Sequence, residues 1–198
     1  LNLSKIRKLS LSHGASNHPP MQSKSSGRDI LNNFDLGAVE KTIQMIETGS
    51  QVFPQSIDMM IEWNMHRSYT QMYAEVVAEK SALILESELQ TSLGGKGHRP
   101  TPIQYFLYGI GASYLSTLML MLSRKRIQVS QAKLRLKAEI DYSGLLTDSI
   151  IEEPIKSLHL SLAIKCDIDR SELMKIVDEA KSRCLVFNPV KVEISLEE

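Results

Sequence analysis

Cysteine is nearly absent: Cys166 and Cys184 are the two in 198 residues, too few for a secreted scaffold held by disulfides. Net charge is missing as well. The 23 basic side chains stand against 23 acidic ones, so the overall balance points to neither nucleic acid nor an anionic membrane as a partner. No secretory signal with a continuous apolar core opens the chain, and a reducing cytoplasm is the expected compartment. The histidines, His13, His18, His66, His98 and His159, show no His-x-x-x-His spacing and no Cys pairs accompany them, so no metal and no other cofactor is expected. Acidic residues are lacking from 1–28, which carries Lys5, Arg7, Lys8, Lys24, Arg28 and seven serines without any apolar period. That composition is weakly like a transit peptide, but reads first as a loose arm. The chain opens on Leu1 rather than Met, as trimming or truncation would leave it.

What is present has clear periodicity. Leu36, Val39, Ile43 and Ile46 fall at helical spacing, with Gly49 and Pro54 as stops, predicting a short amphipathic helix over 36–47 that packs on the main domain or on a second subunit. Residues 1–55 are therefore read as an extension of arm and helix, and 56–198 as the domain. From Ser56 the period becomes two: Ile57, Met59, Ile61, Trp63 and Met65 alternate with more polar neighbours. Together with 70–79 and 82–87 they predict an antiparallel meander. Ala132, Leu134, Leu136, Ala138, Ile140 and Tyr142 alternate with Lys133, Arg135, Lys137, Glu139 and Asp141, a strand with one solvated face. The alternation returns over 158–166 and 190–196. Between these two segments, Asp169 with Glu172 predicts a capping box for a helix bearing Leu173, Ile176, Val177, Ala180 and Cys184 on one face. Cys166 shares the apolar phase of its strand and is expected in the core; sequence does not supply the distance needed to judge a bridge to Cys184.

Ile103 to Leu122 is an uncharged run of twenty residues, IQYFLYGIGASYLSTLMLML, long enough to span a bilayer. Basic residues lie at both ends, polar side chains dilute it, and the amphipathic strands on either side need a common core. A buried central helix of a soluble domain is expected, and no membrane association. Gly109 and Gly111 each cost the helix up to about 1 kcal/mol relative to alanine, which implies a close approach by a second helix, a partner subunit or a ligand. Gly94, Gly95 and Gly97 lack the Lys-Ser/Thr of a phosphate loop, so turn geometry is the reading there. Tyr105, Tyr108 and Tyr114 read as core and interface aromatics, or as the lining of an apolar pocket.

The segment GGKGHRPTPIQYFLYGIGASYLSTLMLMLSRKRI resembles the GG...GPTPxExLLxALxxC helix of the OsmC/Ohr superfamily. The second helix, ending in Ser182-Arg183-Cys184-Leu185 before Pro189 and a final strand, resembles that superfamily's second cysteine segment. The resemblance covers 56–198 and implies an α+β domain of order β-β-β-α-β-β-α-β with a long buried central helix. It also implies an intertwined homodimer whose sites lie at the subunit interface. Active members are thiol peroxidases that reduce organic hydroperoxides, using a peroxidatic cysteine, a resolving cysteine, and an Arg and Glu that polarise the first thiol. Carried over by spacing from Pro102, the peroxidatic position falls on Ser113, the Glu position on Ile103 and the resolving position on Cys184. Arg67, at the end of the first strand, is the candidate for the arginine.

A serine hydroxyl has no accessible anion near neutral pH and cannot pass through the sulfenic acid that peroxide reduction requires. The expected protein has lost standard peroxidase chemistry and keeps an apolar interface pocket for a hydrophobic small molecule or hydroperoxide. The alternatives are a divergent hydroperoxide reductase acting through Cys184 and a purely structural module that docks through 1–55. Against the first, Cys184 sits at a helix C-terminus, where the negative end of the dipole disfavours a thiolate. A hydrolase built on Ser113 would need His66 or His98 beside it, and no nucleophile elbow surrounds the serine.

Overall fold

The computed structural model describes residues 28–50 and 56–187; the predicted loose arm up to residue 27 and the predicted final strand over 190–196 lie outside them. The first described element is one the periodicity did not announce, a hairpin of β1 (Ile30–Leu31) and β2 (Phe34–Asp35). Its two-residue loop places Asn32 at φ 50° and Asn33 at φ 68°. Asparagine tolerates that left-handed region, and such turns match the twist of paired strands. Asp35 then caps α1 (Leu36–Glu47), its carboxylate accepting from the Ala38 N–H at 3.1 Å, and the chain leaves the helix through Gly49 at φ 70°. The predicted 36–47 helix is thus present, with Leu36 as its one buried residue.

The meander is antiparallel in the order β3 (Ile61–Trp63), β4 (Met72–Ala78), β5 (Ser81–Ser87). The first strand is shorter than the alternation from Ile57 to Met65 predicts. Its partner β4 pairs only Ile61 to Trp63 with Ala74 to Met72, and an alternating run beyond the reach of a neighbour has no ladder to join. A second pair, β6 (Val129–Ile140) and β7 (Ile155–Cys166), is antiparallel with Leu134 opposite Leu162 and Leu136 opposite Leu160. With α2 (Pro102–Arg124) and α3 (Arg170–Arg183), the described part is a mixed α+β fold.

The two helices are fastened at their starts by different chemistry. Thr101 caps α2 through a reciprocal box, Gln104 donating its N–H to the threonine hydroxyl while its side-chain oxygen accepts the Thr101 N–H at 2.8 Å, and Pro102 occupies the first turn. In α3 the box is one-sided: the Asp169 carboxylate accepts from the N–H groups of Ser171 and Glu172, and the Ser171 hydroxyl donates to the same oxygen, in place of the predicted return bond from Glu172. Tyr114, Leu118 and Leu122 of α2 meet Ile127, Ile176, Ala180 and Cys184 in the core, with the apolar face of β6 and β7 packed against them. The central helix departs from the expected all-round burial. By length and composition alone it could cross a membrane, yet its buried residues form one stripe, Ile110, Gly111, Tyr114, Leu118, Leu122 and Ser123, turned toward the same chain's β6 and α3. Tyr108 on the other side is 73% exposed.

The glycine expectations separate on inspection. A Cβ on Gly111 would lie 2.7 Å from Cδ1 of Leu136, so the close approach is made by strand β6, whereas Gly109 has nothing within 4 Å. In the loop before α2, a Cβ on Gly95 would lie 1.5 Å from the Leu89 carbonyl oxygen, and Gly94 and Gly97 hold φ of 86° and 75°. Turn geometry is what those glycines serve.

Candidate functional site

The site is built where α2 crosses the end of α3. Ser113 sits one position before the buried Tyr114, so its side chain looks toward α3, and the last turn of α3 delivers Cys184 to it. The Ser113 Oγ and Cys184 Sγ are 3.7 Å apart, within hydrogen-bond reach for sulfur. Cys184 ends the helix in extended geometry, with ψ 122° and its N–H on the Lys181 carbonyl, and its side chain is 0% exposed. Leu185–Phe187 then form a short 3-10 turn that brings the Phe187 ring to 5.7 Å from Tyr114. Tyr114 is 5% exposed, and its hydroxyl donates to the Val177 carbonyl at 3.4 Å. Burial, and after it the charges of Asp178 and Cys184, holds the Tyr114 phenol above its ordinary value, so near neutral pH this hydroxyl is a proton donor and not a base.

A crevice of about 390 Å³ opens beside this group, lined by Tyr114, Leu134, Leu160, Leu162, Val177 and Phe187 with Lys181 as its one charge. Ser113 itself is half-buried. The structure therefore brings the peroxidatic and resolving positions together, as the resemblance implies. Ile103 is not part of the same cluster. It stands ten residues earlier on α2, about 15 Å along the helix axis, in a separate apolar crevice with Leu93, Phe106, Tyr142 and Leu145. Arg67 lies exposed in the turn after β3, and no hydrogen bond or ion pair among the described residues joins it to Ser113 or Cys184. His66 stacks at 5.3 Å on Tyr69 in that same turn, and the His98 N–H donates to Glu88; neither imidazole meets Ser113. Cys166 is half-buried, packs against the core cluster and forms no disulfide, so it does not bridge to Cys184.

Two side chains that hold the surrounding structure were missed. Glu88 is 2% exposed, and its carboxylate accepts the N–H groups of Lys96 and His98 at 3.2 Å each, organising the Gly-rich loop that leads into α2. Asn32 fastens the other end of that helix: its amide donates to the Ser123 hydroxyl at 3.0 Å and the Ile127 carbonyl at 2.8 Å, while its oxygen accepts the Val129 N–H at 2.8 Å. The Asn-Asn pair was the available signal for the latter. Glu88 had none, because its partners are backbone amides eight and ten residues away.

An α+β domain with a long apolar helix behind a Gly-rich loop, crossed by a second helix that ends on a cysteine, defines a class, and comparison with known proteins supplies its name. Residues 95–198, more than half of the chain, match the family described as OsmC-like protein. The chain belongs to this family, within the OsmC/Ohr superfamily. An uncharacterised protein of Methanocaldococcus jannaschii is 26% identical over 165 residues, covering 79% of this chain and 81% of that protein. Among solved structures, an OsmC-like protein from Mycoplasma pneumoniae is 18% identical with a TM-score of 0.50, covering 67% of this chain and 85% of its own. An OsmC-like protein of unknown function from Vibrio cholerae is 10% identical with a TM-score of 0.51, covering 71% and 96%. At these identities the likeness is one of fold.

Proposed function

We propose that this protein is an OsmC-like homodimer without standard thiol peroxidase chemistry, which keeps the apolar crevices beside α2 for a hydrophobic small molecule. The observation that carries this reading is the Ser113–Cys184 contact, 3.7 Å long. The place where a peroxidatic and a resolving sulfur would face each other holds one sulfur and one hydroxyl, and a hydroxyl forms no sulfenic acid. Ile103 adds to it, since an aliphatic side chain cannot orient an arginine. Dimerisation is supported by the apolar surface that one chain leaves open: Ile61 is 66% exposed, Leu83 62% and Tyr108 73%, more than a lone soluble chain ordinarily shows in contiguous patches. In this reading 56–198 is the OsmC-like domain, 1–55 its extension, and a reducing cytoplasm its compartment.

The test is direct. Full-length protein supplied with dithiothreitol or dihydrolipoamide is expected to consume cumene hydroperoxide no faster than the reductant alone; turnover at enzymatic rates overturns the reading. The rival, a reductase acting through Cys184, is disfavoured by the complete burial of that sulfur, since a thiol must be reached by its peroxide. Any activity that disappeared on Cys184→Ser would favour it.

A further inference from the structure

We propose that α1 is a clasp for a second copy of this chain, seated in the groove between the partner's α2 and β6; the inference rests on the homodimer proposed above. Three observations point to it. The apolar stripe of α1 is only partly used: Leu36 is buried, Val39 and Ile43 are half-buried, and Ile46 is 48% exposed. The helix packs mainly against β1 of its own chain. A half-used stripe on a capped helix has an apolar face still to cover.

The second observation is a groove of matching size. A cavity of about 480 Å³ runs beside α2, floored by Ala112, Leu115, Met119, Leu134 and Leu136, with Phe34 at its rim. From Tyr108 to Met119 the groove extends about 16 Å along α2, and the twelve residues of α1 are about 18 Å long. Phe34 lines this groove and Leu36 begins α1, so α1 projects from the rim of its own groove. A two-fold pairing that faces the grooves toward each other lays each α1 along the other chain's groove, and this exchange closes on itself.

Charge is the third. Glu40 and Glu47 fall on one flank of the α1 stripe. Glu47 stands in the last turn, where the helix dipole disfavours an acid, and no basic residue accompanies it there. The groove's one charged lining residue is Lys133, and neither carboxylate nor this ammonium takes part in an ion pair among the described residues. Seating α1 in the partner's groove brings the acids to the lysine and gives Glu47 its counter-charge.

The experiment mixes isotopically heavy and light full-length protein, allows exchange, and couples carboxylates to amines with a zero-length carbodiimide. Expected are Glu40–Lys133 or Glu47–Lys133 links joining a heavy peptide to a light one. The surface variants Ile43→Asp and Ile46→Asp are expected to raise the dimer dissociation constant about tenfold or more, as loss of a buried apolar anchor does, with unchanged circular dichroism. Lys133→Glu is expected to weaken the dimer too and to be rescued by Glu47→Lys. Links found only within one chain, or a dimer of unchanged affinity in both Ile variants, overturn the clasp and leave the homodimer standing. A wild-type mass of one chain at micromolar concentration overturns both.

Discussion

The hydroxyl oxygen of Ser113 and the sulfur of Cys184 face each other at 3.7 Å across the contact between α2 and α3. That distance is a little above what two sulfurs need to bond, and a small adjustment of χ1 at either residue shortens it. Ser113→Cys is therefore expected to form a 113–184 disulfide under mild oxidant, seen as loss of both thiols from alkylation of the denatured protein. If the pocket still admits a peroxide, the variant gains hydroperoxide reduction in the presence of dithiothreitol. A folded variant that keeps both thiols under oxidant contradicts the geometry described here; one that forms the bridge without gaining turnover places the functional loss at Ile103.

The two native cysteines differ in access, and alkylation should separate them. Cys184 is 0% exposed, whereas Cys166 is half-buried at the end of β7. Iodoacetamide on the native protein is expected to label Cys166 well ahead of Cys184, with Cys184 reacting fully only in urea. Equal native rates, followed by peptide mass, would show that α3 does not seal Cys184 as described.

Asn32 should matter more than its place ahead of the main domain suggests. Asn32→Ala removes two donations and one acceptance at the junction of α2 and β6 and substitutes a residue poorly suited to φ 50°. A loss of about 2 kcal/mol in urea unfolding is expected. Asn33→Gly serves as the control, since Asn33 is exposed and glycine adopts its positive φ freely; its unfolding midpoint is expected to hold or rise slightly. Equal effects from the two variants would mean that the turn, and not the Asn32 side chain, joins the hairpin to the domain.

Acid sensitivity has an identifiable source in Asp169 and Asp141. The Ser171 hydroxyl and then the N–H groups of Glu172 and Ser171 hold the Asp169 carboxyl below its ordinary 3.8. The Ser143 hydroxyl and N–H, with Lys156, do the same for Asp141. A carboxyl lowered in the folded state contributes stability that is fully present above the unfolded value and is lost as pH falls through the folded one. The melting temperature is thus expected to drop on acidification below 3.8, and Asp169→Asn to lower it at neutral pH while flattening its dependence in that acid range. A variant as acid-sensitive as the parent would show that the α3 cap carries none of the effect.

Much of this was legible beforehand because it is local. Period-two alternation marked β4 to β7, period 3.6 marked α1 and α3, and Asp169 announced its cap, since each depends on residues a few positions apart. The uncharged run marked α2, and its spacing from Pro102 put Ser113 and Cys184 forward together. The short β3 was not legible, because strand length is decided by where a neighbour ends. The Asn32 and Glu88 bonds were not legible either, as one spans about ninety residues of chain and the other recruits backbone amides that carry no residue signature.

By itself, then, the sequence determined the chemistry available: one sulfur and one hydroxyl at the paired positions, an aliphatic Ile103, and an apolar helix behind a Gly-rich loop. Only the tertiary structure decided how these stand to one another. It put Ser113 against Cys184 and set Ile103 apart in a different crevice. It also made the close approach at Gly111 the work of a strand and kept the outer face of α2 open. The physical reason is that periodicity specifies which face of an element is apolar, whereas the choice of what covers that face is made by packing among elements distant in the chain.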